Sequence, residues 1–118
     1  MSNKKLKNMF KLSSKITVYV PATINVNEQI DNTPYVDRLA SLLSKCFGGS
    51  TSTPALGYWM DTNNNELIKE KTTMVFAYCK DQDLEKHIDT IIIACENLKT
   101  ELNQQAIAME INGEMYFI

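Results

Sequence analysis

The sequence predicts an α+β domain in which two helices cover one face of an antiparallel sheet. Three observations carry that reading. Residues 33–48 and 81–102 repeat apolar side chains at helical spacing along a single stripe. Five other segments have the short apolar or alternating pattern of strands. Two asparagine-containing turns join four of those segments into hairpins.

The first 14 residues are polar with a small apolar group, Leu6, Met9 and Phe10, at helical spacing. They are expected to form a basic arm that frays in solvent, or a short helix ordered by a partner. Residues 15–20 then read as a strand, with Ile16, Val18 and Val20 on one face and Thr17 and Tyr19 on the other, closed by Pro21. Residues 22–32 have no periodicity and read as a loop. Thr33 is a suitable N-cap for the first helix, and Pro34 suits its first turn, where a missing N–H costs nothing. Val36, Leu39, Ala40, Leu43 and Phe47 form its stripe, and Gly48 supplies a left-handed C-cap. Residues 49–54 are a hydroxyl-rich loop.

Residues 55–61 and 66–80 read as a hairpin whose connector holds three asparagines. Asp81 is placed to cap the second helix, and Asp83 and Glu85 complement its N-terminal dipole. Leu84, Ile88, Ile91, Ile92, Cys95, Leu98 and Leu102 give it one apolar face. Residues 106–111 and 114–118 flank Asn112 and Gly113, the preferred centre of a type I′ turn. The order β-α-β-β-α-β-β is the ferredoxin-like pattern with one extra C-terminal hairpin strand. The domain therefore spans residues 15–118, with residues 1–14 as the arm.

Composition narrows the function classes. At 118 residues the chain suffices for one domain, burying roughly 65% of its unfolded surface. No stretch approaches the ~20 apolar residues of a membrane span, and the basic N-terminus lacks a secretory h-region. Cys46, Cys79 and Cys95 are odd in number and far apart, as expected of unpaired thiols in a reducing cytoplasm. The first 27 residues hold five cations and no acid, against seven cations and fourteen acids in the rest. An acidic body argues against a broad nucleic-acid face.

One anomaly stands out. A sheet covered on one side alternates apolar and polar residues. Here Met74, Phe76 and Tyr78 would lie opposite Val75, Ala77 and Cys79, and residues 56–60 and 115–118 are apolar throughout apart from Gly57. Leaving three or four such side chains exposed would forgo about 5–10 kcal/mol of burial, at roughly 1.5–3 kcal/mol each. A homo-oligomer is the simplest remedy, with a ligand groove or a folded-back arm as the others.

Catalytic signals are sparse. His87, the one histidine, lies at the flank of the second helix's stripe, where a solvated role is expected. No catalytic residue, metal site or cofactor motif is assigned. The loop at residues 47–53 runs from helix into strand, so its helix dipole has the wrong sign for phosphate. The candidate ligand residues are Tyr58, Trp59, Phe76 and Tyr78 for stacking on a base, with Lys69, Lys71 and Arg38 for phosphates.

Val18 through Thr23, the run 47–60 with Gly57, Tyr58 and Trp59 at its centre, Met74 through Tyr78, and Asn112 with Gly113 resemble small proteins of phages and conjugative elements of gut bacteria. In size and layout the chain is also similar to phage anti-Thoeris sponge proteins, which bind cyclic ADP-ribose signals. No binding residue is carried over from them. The resemblance implies a non-enzymatic, anti-defence binding protein of the host bacterial cytoplasm that sequesters a nucleotide-derived signal. The alternatives are a protein-interaction module and a small dimeric α+β barrel enzyme using His87 or a tyrosine.

Overall fold

The computed structural model describes residues 3–25 and 27–118; Met1 and Ser2 of the expected arm and Val26 of the expected loop lie outside them. The elements run α1 (Lys4–Lys7), β1 (Ser14–Pro21), β2 (Thr23–Ile24), β3 (Glu28–Gln29), α2 (Thr33–Phe47), β4 (Thr51–Asp61), β5 (Glu66–Cys79), α3 (Asp81–Glu101), β6 (Ala108–Ile111) and β7 (Glu114–Phe117). Five strands form one sheet in the order β4-β5-β1-β6-β7, every neighbour antiparallel. This is the ferredoxin-like α+β arrangement, with β7 added beside β6.

The core is the layer between the sheet and helices α2 and α3. Ile16, Val18 and Val20 on β1 face it, paired in register with Ala77, Val75 and Thr73 of β5, while Met109 of β6 pairs Val18 from the other side. Leu43 from α2 and Ile91 and Cys95 from α3 close over them and are wholly buried. Both expected stripes are therefore the core-facing sides of their helices.

Local chemistry explains where the elements begin and end. Gly48 adopts φ +93° and returns its N–H to the Ser44 carbonyl at 2.8 Å, ending α2 in the left-handed conformation a side chain resists. Asn112 (φ +50°) and Gly113 (φ +87°) make the β6–β7 turn, both central residues positive as type I′ requires. The Asn63 and Glu66 amides donate to Asp61 Oδ1 and Asn64 Oδ1, closing the β4–β5 turn.

Four expectations change in detail. Thr33 is the first residue of α2 rather than its N-cap, because its amide and hydroxyl both donate to Asp31 Oδ1. Asn32 takes the cap position, but its amide group donates to the Val20 carbonyl and to Thr73, tying the helix start to the sheet. Likewise Lys80 occupies the N-cap of α3, while the Asp81 carboxylate accepts the Ser13 and Ser14 hydroxyls. The loop at 22–32 contains the small β2–β3 hairpin, and β4 begins at Thr51, within the expected loop.

The feature that positions the site is an overhang. β1 stops pairing with β5 at Pro21 opposite Thr72, yet β5 and β4 continue together to the Glu66–Asp61 pair. Beyond Thr72 the sheet is a two-stranded ribbon, and the molecule measures 54 × 28 × 21 Å. Among the described residues no helix is long and apolar enough to cross a membrane.

Candidate functional site

Strand register assigns each side chain to a face, since neighbours along a strand point opposite ways. The face away from the helices carries Lys15, Thr17 and Tyr19 of β1, Met74, Phe76 and Tyr78 of β5, Glu110 of β6, and Met115 and Phe117 of β7. On the ribbon it continues through Glu70 opposite Gly57 and Ile68 opposite Trp59. Tyr78, Met115 and Phe117 are exposed there, Phe117 by 74%. The second apolar face read from the sequence is thus present.

The seven candidate residues divide among three regions. Phe76 and Tyr78 lie together on this face, their rings edge to face at 6.2 Å, and the Lys15 ammonium sits 4.6 Å from the Phe76 centroid and 5.4 Å from Tyr78. Trp59 lies on this face at the ribbon, whereas Lys69 and Lys71 alternate with Ile68, Glu70 and Thr72 onto its other face. Tyr58 is opposite Lys69 on the other face and exposed. Arg38 is elsewhere, in the groove between α2 and α3, where it pairs with Glu101 through two contacts and stacks over Tyr35.

Two clefts adjoin at the ribbon root and share Glu70 and Lys71. One, of about 290 Å³, is bounded by Trp59, Asp61, Ile68 and Lys69 and by the β2–β3 hairpin through Thr23 and Gln29. The other, of about 220 Å³, is bounded by Tyr19, Gly57, Thr72, Gln104, Ala108 and Met115. Together they fall within the 300–1,000 Å³ typical of small-molecule sites. Gln104 is fixed by donating from Nε2 to the Thr23 carbonyl at 3.1 Å, which holds the β2–β3 hairpin against the segment after α3. The turn at Asn25 is held too, its amide donating to the Leu102 carbonyl at 3.0 Å.

The chemistry of this double cleft is mixed in a useful way. Trp59 offers an aromatic face that is half exposed. Asp61 and Glu70, on the Trp59 side of the ribbon, offer acceptors for hydroxyl or amine donors, while Lys69 and Lys71 direct their side chains to its other side. On the floor the Tyr19 hydroxyl lies 3.5 Å from Glu110 Oε1. Partial burial, then the charge and hydrogen bond of Glu110, raise the Tyr19 phenol above its ordinary value, so it remains a neutral donor. Sequence reading missed Tyr19, Glu70, Gln104 and Glu110 as site residues. Register was the missing signal: pairing across β5, β1 and β6 brings Glu70, Tyr19 and Glu110 to one face, and Gln104 joins them from the segment after α3.

His87 is on α3, its ring edge-on to Phe47 at 5.8 Å, so it packs against α2 rather than standing free in solvent. It lines neither cleft. Among the described residues no three His, Cys, Asp or Glu side chains gather closely enough to hold a metal.

No family profile matches the sequence, and no curated protein matches it. Solved structures do match the fold. The chain is similar to a phage SAM lyase in complex with S-methyl-5′-thioadenosine, with a TM-score of 0.65 at 11% identity over 93% of this chain and 94% of that one. A phage SAM lyase in its apo state matches with a TM-score of 0.63 at 13% identity over the same shares. CutA from Synechococcus elongatus follows with a TM-score of 0.51 at 7% identity, over 91% of this chain and 81% of that one. At these identities the likeness is one of fold.

Proposed function

We propose that this chain is a phage or mobile-element protein of the host cytoplasm that binds an adenosine-bearing small molecule of the S-adenosylmethionine class in the double cleft around Glu70. The observation that supports the reading most is the fold match along nearly the whole chain to a phage SAM lyase holding S-methyl-5′-thioadenosine. The cleft chemistry agrees with such a ligand. Trp59 stacks on adenine, and Glu70 and Asp61, on the same face of the ribbon, accept from ribose hydroxyls or an amino group. This narrows the nucleotide-sponge expectation to adenosine and moves the site from Phe76 and Tyr78 to the ribbon root. The protein acts by withholding the ligand, as an anti-defence sponge does.

Cleavage is the second reading, favoured by the same match to a lyase. One experiment separates the two. The protein is titrated calorimetrically with S-adenosylmethionine, S-methyl-5′-thioadenosine and cyclic ADP-ribose, and each ligand is recovered and chromatographed. Binding with intact recovery supports sequestration; conversion of S-adenosylmethionine to the thioadenosine supports cleavage. Binding of cyclic ADP-ribose alone restores the broader sponge reading. Unchanged binding by Trp59→Ala, with an unaltered melting temperature, removes the cleft from consideration.

A further inference from the structure

The arm at residues 3–13 and the helix-free face have complementary surfaces. In the arm, Asn3 caps α1 by accepting from the Lys5 and Leu6 amides, so the short helix is held by its own side chain. Leu6, Met9, Phe10 and Leu12 are all exposed, Phe10 by 78%. Lys4, Lys5, Lys7 and Lys11 lie among them with no acid. The helix-free face has the opposite character: Tyr78, Met115 and Phe117 exposed, with Glu110, Glu70 and Glu66 at register positions between them and at the ribbon. Lys15 is its one lysine, and its ammonium already sits over Phe76 and Tyr78.

We infer that the arm of one copy lies across the helix-free face of a second copy. The occupant is a second copy rather than the same chain because of how the arm leaves the sheet. Ser14 points to the helix side of β1, in line with Ile16 and Val18, and its hydroxyl bonds Asp81 at the start of α3. Ser13 bonds the same carboxylate, and Lys80 lies over Phe10 at 5.8 Å. These contacts direct the arm toward the helix layer, away from its own chain's open face. A reciprocal exchange places the four apolar arm residues on Phe76, Tyr78, Met115 and Phe117 and the lysines against Glu110 and its neighbours. Apolar anchors ringed by charge pairs are how stable interfaces are built. The inference does not depend on the identity of the ligand.

The test compares the full chain with a variant lacking residues 1–12, which retains both serine contacts to Asp81, and with a Leu6→Ser, Met9→Ser, Phe10→Ser, Leu12→Ser variant. Sedimentation over a concentration series should give a dimer for the full chain, weakened by added salt. Both variants should dissociate at least ~10-fold more readily, the loss expected for aromatic anchors. A photo-crosslinker at position 10 in a mixture of isotopically light and heavy copies should join light arms to heavy peptides containing residues 72–79 or 114–118. A full chain that is monomeric, an oligomer indifferent to the arm, or crosslinks only within one copy would each overturn the inference. So would an arm whose crosslinks appear only on added nucleic acid or anionic vesicles.

Discussion

Gly57 offers the sharpest separation of fold from binding. It lies in mid-strand on β4, opposite Glu70, and lines the smaller cleft. A Cβ placed there would meet the Glu70 carbonyl oxygen at 3.7 Å, ordinary contact, and its φ lies outside the left-handed region. Glycine inside a regular element costs roughly 0.5–1 kcal/mol relative to alanine. Gly57→Ala should therefore stabilise the protein by that amount. With an unfolding entropy of about 2.1 cal/mol/K per residue, the 118-residue chain gains about 2–4 °C in melting temperature. Gly57→Val also suits a strand, but its two methyls intrude on a cleft of only about 220 Å³. Overpacking of this kind typically costs 1–3 kcal/mol, here borne by the complex, so affinity for S-methyl-5′-thioadenosine should fall about 5- to 150-fold. Thermal denaturation and calorimetric titration of the three proteins decide the matter. A valine variant that melts normally and binds as tightly as the parent would show that the ligand does not use this cleft. One that fails to fold would refute the geometry from which the argument starts.

Two further outcomes are expected. Burial, with a smaller contribution from the Glu96 charge, raises the Cys95 thiol from 9.0 to about 11. Its raised folded value means that the protonated thiol's contribution is fully present below pH 9 and is lost as pH rises toward 11, by about 2–3 kcal/mol. Urea denaturation at pH 8 and pH 11 should register that loss, and Cys95→Ala should lessen the slope. Leu43→Ala removes a wholly buried side chain between α2 and the sheet and should cost about 2–5 kcal/mol, read as a lower urea midpoint at constant m-value.

The sequence carried the layered fold because its local signals agreed with its global ones. The α2 stripe from Val36 to Phe47 and the α3 stripe from Leu84 to Leu102 could each be buried in only one way, and Gly48 and Asn112-Gly113 marked their turns by backbone need. The caps shifted by one residue where a rival hydrogen-bond partner was present, an acceptor for Thr33 and donors for Asp81. Asp31 captured Thr33, and Ser13 and Ser14 captured Asp81, through partners that propensity alone does not rank. The site was harder to see. Trp59, Lys69 and Lys71 were recognisable as aromatic and cationic residues close in sequence. Tyr19, Gln104 and Glu110 come from three distant segments, and nothing local marks them. Nor does the sequence show that the packing of α2 against α3 sets Glu101 beside Arg38.

The ribbon formed by residues 57–61 and 66–70 has a thermodynamic consequence of its own. Isolated two-stranded hairpins are marginal in water, and this one extends past the edge of β1 with Tyr58, Met60 and Leu67 exposed on one side and Trp59 on the other. Its amides are therefore the first expected to open, well before the core strands. Whatever settles into the cleft at its root must also order it, so part of each ligand's intrinsic affinity is spent on stiffening a lever. Binding then becomes a way of folding the outer end of the sheet, and ligand occupancy is recorded in how long that lever resists exchange and cleavage.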